Sequence, residues 1–143
     1  MVKRAKSDEL QIVAELAACV WNSSKEELLE EFQRGINGKD VAFFLKYAQG
    51  VPVGFAQCTL RHDYVEGTSS SPVGYLEGIF VKEEYRKQGY AGELLAACEQ
   101  WAKEQGCSEF ASDCELSNSE SLTFHLKAGF AEVNRMVCFK KSL

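Results

Sequence analysis

Apolar residues recur at helical spacing in the first third of the chain. The first set is Leu10, Val13, Leu16, Ala17 and Val20. Because these residues fall three or four positions apart, they predict a helix over roughly residues 8–21 with Asp8 as its N-cap. Ser24 then begins a capping-box pattern, which predicts a second helix that ends near Gly35 or Gly38.

Runs rich in β-branched and aromatic residues predict the strands. Residues 41–47 and 51–60 are two such runs, and the Gln49-Gly50 dipeptide between them predicts an antiparallel hairpin. A polar stretch at 66–72 reads as a loop. Residues 75–81 then predict a third strand.

Helical and strand patterns alternate in the second half. An amphipathic helix after residue 90 carries an apolar face of Leu94, Leu95, Cys98, Trp101 and Ala102. Residues 109–113 predict a short strand parallel to the third, reached by a helical crossover. Residues 119–127 predict a short helix closed by Gly129, and 130–140 predict a final strand. The whole chain, residues 1–143, therefore predicts one mixed α/β domain.

The turn between the third strand and the long helix is the most informative segment. It reads Arg-Lys-Gln-Gly-Tyr-Ala over residues 86–91. The first N–H groups of a helix lack intrahelical partners, and the helix dipole there favours negative charge. Arg86 and Lys87 add positive charge to such a site. The pattern predicts a phosphate-binding turn, and the alternative is an ordinary helix start after a surface turn.

Composition and charge narrow the partners. The formal net charge of -5 disfavours a nucleic-acid partner and is compatible with a phosphate-bearing cofactor at one spot and a cationic substrate at another. No run approaches the ~20 apolar residues of a membrane span. The basic start of the chain leads into Asp8 and Glu9 without an apolar segment, so we expect no secretory signal and a cytoplasmic location.

The cysteines indicate neither a metal site nor disulfides. None of the six forms a C-x-x-C pair, and His62 and His125 do not lie at zinc-ligand spacings from them. We therefore expect free, buried thiols in a reducing compartment and no metal.

Two segments carry a family resemblance. The turn resembles the acyl-CoA signature of the GCN5-related N-acetyltransferases (GNAT), (Q/R)-x-x-G-x-(G/A), which Arg86, Gly89 and Ala91 match. Residues 118–130 are similar to the family's N-x-x-A…Y-x-K-x-G-F helix. The resemblance implies the GNAT fold: a central, mostly antiparallel sheet with a splayed parallel pair, helices on both faces, and acetyl-CoA (coenzyme A) as cofactor.

A closer resemblance exists within that family. The stretches 61–68, 71–81 and 107–113, with the early Val20-Trp21, resemble the aminoglycoside 6'-N-acetyltransferases. That resemblance implies a cationic small-molecule amine (an aminoglycoside) as substrate and a homodimer as the assembly. Neither a nucleic acid nor a membrane is expected as a partner.

The cofactor-binding residues follow from the resemblance. Backbone N–H groups of residues 87–91 would hold the pyrophosphate, and the end of the third strand would pair with the pantetheine arm. The Asn118 side chain would bond that arm or serve as a plain N-cap. The implied set is Ile79, Phe80, Val81, Arg86, Lys87, Gln88, Gly89, Tyr90, Ala91 and Asn118.

Two residues are candidates for catalysis. His125 stands where the family usually has a tyrosine, so it is the candidate general acid for the leaving thiolate; the alternative is a half-buried helix histidine. Glu77 would take the proton of the substrate ammonium through a water. Gly78, next to it, marks a bulge or close backbone approach, or is simply a packing glycine.

The candidate substrate-binding residues are acidic and aromatic. Glu77 and Asp113 fall near the ends of the two strands expected to splay apart, and the sequence shows no obvious local partner for either carboxylate. Trp21 and Tyr64 would wall the site, or would be core aromatics. Because no cysteine has an evident activating base, we expect direct transfer in a ternary complex.

Two further functions remain open at this point. One is a GNAT enzyme for another amine, such as a polyamine, a peptide N-terminus or a lysine. The other is a non-catalytic acyl-CoA-binding module.

Overall fold

Five strands form one sheet in the order of the chain. The computed structural model describes all 143 residues. The strands are β1 Val2–Arg4, β2 Val41–Ala48, β3 Val51–Arg61, β4 Val73–Val81 and β5 Phe110–Ser112. The helices are α1 Leu10–Ala17, α2 Lys25–Ile36, α3 Tyr90–Glu104 and α4 Ser119–Lys127. Neighbouring strands are antiparallel except β4 and β5, which are parallel. The predicted mixed sheet with one parallel pair is confirmed.

Helices cover both faces of the sheet, as predicted. Successive side chains of a strand point to opposite faces. Along β2, Phe43 and Leu45 pack with α1 and α2 in one cluster of 11 buried residues, whereas Ala42 and Phe44 pack with α3 in another cluster of 11. The chain therefore has two large cores separated by the sheet. A third, smaller cluster consists of Val65, Val73 and Tyr75. None of its helices combines the length and the apolar character that a membrane crossing requires.

The second helix begins where the sequence predicts. The Ser24 side chain accepts a hydrogen bond from the backbone N–H of Glu27 at 3.1 Å, and the Glu27 carboxylate accepts one from the Ser24 N–H at 3.4 Å. This reciprocal pair is the capping box read from the sequence.

The prediction for the first helix is wrong at both ends. A 3₁₀ turn at Ser7–Glu9 precedes α1, and the Glu9 carboxylate, not Asp8, accepts the Lys6 N–H at 3.0 Å. After Ala17 the chain leaves the helix, and Trp21 packs edge-on against aromatic rings of α2 and β3. This packing stabilises the turn that follows the helix. Val20, assigned to the apolar face, is 42% exposed.

The hairpin between β2 and β3 is confirmed, and the strand before it was missed. Gln49 and Gly50 have positive φ values of 52° and 79°, which suits a two-residue turn of type I′. β1 pairs with β2 from Val2↔Lys46 to Arg4↔Phe44. Its three residues, Val-Lys-Arg, have no strand signature, so only the neighbouring edge makes them a strand.

The predicted final strand over residues 130–140 does not form. The N–H of Phe130 bonds the carbonyl of His125, and no backbone hydrogen bond follows in the remaining residues. Met136, Val137 and Phe139 are 72%, 77% and 91% exposed. The apolar run over residues 136–139 favours a strand, but an apolar run supplies no edge to pair with, and the outermost β5 has only three residues.

The cysteine prediction holds for part of the set. All six thiols are free; Cys58 and Cys98 are buried, Cys107 and Cys114 are half-buried, and Cys19 and Cys138 are exposed. The expectation of burial is wrong for those last two because they lie in the turn after α1 and in the exposed C-terminal segment.

Candidate active site

The turn before α3 is built to leave backbone N–H groups free. Gly89 is the N-cap of α3 and adopts a left-handed φ of 82°, and no side chain caps the helix. Lys87 is also left-handed, with φ 63°. No atom lies within 4 Å of the position a Cβ of Gly89 would occupy. The start of α3 therefore offers unpartnered donors and open space, which fits a phosphate group.

The Arg86 side chain connects this turn to residues at the end of β4. Its Nε donates to the carbonyl oxygen of Val81 at 2.8 Å, and its guanidinium lies 5.6 Å from the centre of the Phe80 ring. The side chain thus ties the turn back to the end of β4. The predicted contact of Arg86 with a phosphate stays a prediction.

Beyond the middle of β4, one of its edges is open. β5 pairs with β4 only at Gly74, Tyr75 and Leu76. Residues 77–81 have β3 on their other side but no strand on this one. The gap that results can accept an extended amide chain such as pantetheine by strand-like pairing. The open edge includes Ile79, Phe80 and Val81, and their predicted pairing with the cofactor stays a prediction.

A bulge at Glu77 marks the point where β4 and β5 part. In the β3–β4 register Gln57 faces Gly78 and Cys58 faces Leu76, so Glu77 is the extra residue. A bulge bends its strand and re-aims the side chain at that position. Here it directs the Glu77 carboxylate toward side chains of β3.

A cleft of ≈ 610 Å³ lies on the α1–α2 face, beside this bulge. It is lined by Trp21, Asn22, Ser23, Leu28, Glu31, Phe32, Gln57, Thr59 and Glu77. Two of these, Trp21 and Glu77, were predicted as substrate-binding residues. With Glu31 the cleft has two carboxylates and no lining cation, so it suits a cationic, hydroxyl-rich ligand.

The sequence analysis did not identify the other polar residues of the cleft. For some of them, the spacing along the chain indicates which side of the helix or strand they share. Glu31 lies three positions after Leu28 and therefore on the same side of α2. Gln57 and Thr59 are two apart on β3 and share a face.

Trp21 walls the cleft, and Gly78 makes room for it. The Trp21 ring lies 6.4 Å from Phe32 and 5.9 Å from Phe55, both edge-on. A Cβ at Gly78 would stand 2.5 Å from Cη2 of Trp21. Gly78 is therefore needed for close approach of the indole, and it also adjoins the bulge at Glu77.

Glu77 has partners that the sequence did not suggest. Thr59 Oγ1 donates to its Oε1 at 2.8 Å. Arg61 donates from Nη2 to both carboxylate oxygens at 2.9 and 3.0 Å and from Nε to Oε1 at 3.1 Å. The expectation of an unpartnered carboxylate is wrong, because β3 brings residues from 16 and 18 positions away beside it.

Arg61 also links Glu77 to Asp113. Its guanidinium stacks 3.4 Å from the centre of the Tyr75 ring, and the Tyr75 hydroxyl donates to the Asp113 carboxylate. Burial raises the pKa of Tyr75 well above its usual value, and the bond to Asp113 raises this pKa further, so the hydroxyl stays a donor. Asp113 does not line the cleft, and its predicted contact with substrate stays a prediction.

Tyr64 lies apart from this cleft. It is 78% exposed in the loop after β3, and its hydroxyl donates to Glu66 at 3.1 Å. It is not a core aromatic, and it does not line this cleft, so its predicted contact with substrate stays a prediction.

His125 is held at both ring nitrogens. Nδ1 lies 2.7 Å from the backbone oxygen of Ser121, and Nε2 lies 2.7 Å from Oγ of Ser112.

Asn118 accepts the Ser121 N–H at 3.1 Å, so its role as the N-cap of α4 is confirmed. Its predicted contact with the cofactor stays a prediction.

The fold and these two neighbouring sites are those of an acyl-CoA-dependent transferase. The profile of the GNAT acetyltransferase family matches residues 9–130. The chain belongs to this family.

Similar proteins within the family share one activity in their names. An aminoglycoside N(6')-acetyltransferase type 1 from Serratia marcescens is 40% identical, with 100% of this chain and 99% of the relative covered. AAC(6')-Iy, solved with the bisubstrate analogue CoA-S-monomethyl-acetylneamine, superposes with TM-score 0.94 at 34% identity, covering 100% of this chain and 98% of that one. AAC(6')-IG from Acinetobacter haemolyticus, solved without ligand, gives TM-score 0.93 at 35% identity, with 100% and 99% covered.

Proposed function

We propose that this protein transfers the acetyl group of acetyl-CoA to the 6'-amine of an aminoglycoside. The observation that carries the proposal is the placement of Glu77. It lies at the bulge, between the open edge of β4 and the acidic cleft. The names of the similar proteins support the same reaction.

The donor side would hold coenzyme A mainly by backbone groups. N–H groups of residues 87–91 would bind the pyrophosphate, and Ile79, Phe80 and Val81 would pair with the pantetheine arm along the open edge of β4. When bound there, acetyl-CoA supplies an activated thioester. Lys87, Gln88 and Tyr90 are proposed to line this site with Gly89.

The acceptor side would hold the amine by charge. Glu31 and Glu77 face the cleft, and Trp21 offers a flat apolar wall for a sugar ring. Asp113 would take part through the Tyr75–Arg61 link to Glu77. An ammonium group entering the cleft would share the Glu77 carboxylate with Arg61.

Transfer would be direct, in a ternary complex. Glu77 would accept a proton of the ammonium through a water, so that the amine nitrogen attacks the thioester carbon. The C–N bond would form, the nitrogen would release its second proton to solvent, the C–S bond would break, and His125 would return a proton toward the sulfur. The cleft lining contains no cysteine, which supports transfer without an acetyl-enzyme.

A panel of amines tests this function. The purified protein is incubated with acetyl-CoA and, separately, kanamycin, tobramycin, a polyamine and a lysine peptide, and released thiol is measured. Aminoglycoside turnover with acetylation mapped to the 6'-amine is the expected result. Turnover of the polyamine or peptide alone would make this a GNAT enzyme for another amine. Tight coenzyme A binding with no turnover would make it a binding module.

We propose a cytoplasmic location, because six free thiols are stable there.

The assembly we propose is a homodimer. Residues 131–143 leave apolar side chains exposed, and Val137 and Phe139 would share one face if this segment paired with a second copy. Light scattering should give twice the chain mass. A Val137→Lys, Phe139→Lys variant should be monomeric, and an unchanged mass would refute this contact.

A further inference from the structure

The hydrogen bonds of His125 define its tautomer. Nδ1 lies 2.7 Å from the carbonyl oxygen of Ser121 and 3.3 Å from its hydroxyl oxygen. The carbonyl is the nearer partner and can only accept, so these contacts favour the tautomer with the proton on Nδ1. In a neutral ring Nε2 is then an acceptor. Ser112 Oγ, 2.7 Å away, must donate its proton to Nε2. A neutral His125 therefore has no proton of its own to give from Nε2.

Ser112 stands at the mouth of the gap between the parallel strands. It is the last residue of β5 and pairs with Leu76, the residue before the bulge at Glu77. Its Oγ also lies 3.4 Å from the Leu76 carbonyl oxygen. The hydroxyl is thus half-buried at the edge of the proposed thioester site, whereas the imidazole approaches it from α4.

The hydrogen bonds among His125 Nε2, Ser112 Oγ and the Leu76 carbonyl oxygen have a second arrangement when the His125 ring is protonated. Nε2–H then donates to Ser112 Oγ, and the hydroxyl hydrogen is released to another acceptor. Within the chain, the acceptor in reach is the Leu76 carbonyl oxygen, at a long 3.4 Å. A weak partner of this kind leaves the hydroxyl proton easy to redirect.

We propose that Ser112 is a catalytic residue that relays a proton from His125 to the departing sulfur. The proposal rests on the acetyl-transfer function proposed above. As the C–S bond breaks, its electron pair stays on sulfur, and Ser112 Oγ gives its proton to that sulfur. The imidazolium gives the Nε2 proton to Oγ and becomes neutral, with Nδ1–H still bonded to Ser121. His125 then regains a proton from solvent.

The decisive measurement is the single-turnover rate of acetyl transfer, because it isolates the chemical step. Ser112→Ala and His125→Ala should each slow this step about tenfold to 100-fold, at or below the lower limit of general acid catalysis, because a thiolate leaves readily. Because both residues serve one relay, the double variant should be no slower than either single one. Ser112→Thr, which keeps the hydroxyl, should retain most of the rate.

Matched controls separate the relay from a structural role. Ser108→Ala removes an exposed hydroxyl just before β5 and should leave the rate unchanged. The KM values for acetyl-CoA and amine should shift less than about twofold in Ser112→Ala. A full-rate Ser112→Ala variant, or rate losses that multiply in the double variant, would overturn the relay. A wild-type protein that acetylates no amine would instead refute the proposed function.

A second readout does not depend on activity. The ¹⁵N shifts of the His125 ring, recorded without cofactor, should report the Nδ1–H tautomer and a hydrogen-bonded Nε2. In Ser112→Ala the Nε2 shift should move toward that of a free acceptor, with Nδ1 unchanged. An Nε2–H tautomer in the neutral wild-type ring would overturn the assignment.

Discussion

The two sides of β4 are built by different means. The donor side consists of backbone: an uncapped helix start at Gly89 and an open strand edge. The acceptor side consists of side chains contributed by the α1–α2 connection, α2, β3 and β4. A backbone site tolerates most side-chain changes but not a change of φ, whereas a side-chain site loses its function when a single charge is removed.

Glu77→Gln should give the largest effect, and only on the acceptor side. It removes a charge from the cleft and leaves the Arg61 cation without its bidentate partner. The amine KM should rise about 30- to 100-fold, corresponding to roughly 2–3 kcal/mol for a charged hydrogen bond. The kcat should fall about 100-fold or more, because Glu77 is the proposed acceptor of the ammonium proton. The Kd of coenzyme A, measured by calorimetry, should stay the same.

Two variants accompany that measurement. Asp113→Asn should also raise the amine KM, but less, because Asp113 acts through Tyr75 and Arg61. Glu104→Gln, on the exposed end of α3, should change neither constant. A loss of coenzyme A affinity in Glu77→Gln would mean that the two sides are not separate.

Gly78→Ala should disturb the acceptor side through packing. The new Cβ would stand 2.5 Å from Cη2 of Trp21, so the indole must move. Overpacking of this kind costs about 1–3 kcal/mol of unfolding free energy, and the displaced wall should raise the amine KM about tenfold. Thermal unfolding and steady-state kinetics measure the two effects. An unchanged Tm would contradict the packing of Trp21 on Gly78.

Gly89→Ala should disturb the donor side alone. The residue needs φ 82°, which costs an L-residue roughly 1–2 kcal/mol, although a Cβ has open space there. The coenzyme A Kd should rise about tenfold or less while the amine KM stays constant. Gly92→Ala is the matched control, since a Cβ there also meets open space and the residue lies inside α3. Equal Kd values for both variants would argue against a strained turn.

Glu109→Gln should give the smallest effect, and it should alter neither the donor side nor the acceptor side of β4. Hydrogen bonds from Ser70 and Ser69 lower the pKa of the Glu109 carboxyl below its usual 4.5. A depressed folded-state pKa stabilises the protein above pH 4.5 and loses that effect as the pH falls through the folded-state value. The Tm difference between wild type and variant should be small at pH 7 and vanish in acid. A difference that grows in acid would contradict this sign.

Three elements could be read from the sequence because their signals are local. The capping box at Ser24, the Gln49-Gly50 turn and the strand–glycine–helix transition around Gly89 each involve neighbours along the chain. Backbone geometry in such segments depends on residues a few positions apart. The predicted elements there agree with the structure.

The errors arose where partners are distant. β1 forms only against β2, α1 ends early in a turn that Trp21 packing stabilises, and residues 130–140 find no edge to pair with. Arg61 and Ser112 carried no motif. Their roles depend on contacts with Glu77 and with His125 from other elements.

The sequence by itself determined the family, the mixed sheet and the place of the turn that is proposed to bind phosphate, because short-range patterns of glycine, charge and hydrophobicity specify backbone conformation. Only the tertiary structure decided which side chains meet in the cleft, that Glu77 is paired with Arg61, and that His125 reaches Ser112. Those contacts follow from strand register and helix packing. Both are set by the burial of apolar residues far apart in the chain, which no local pattern records.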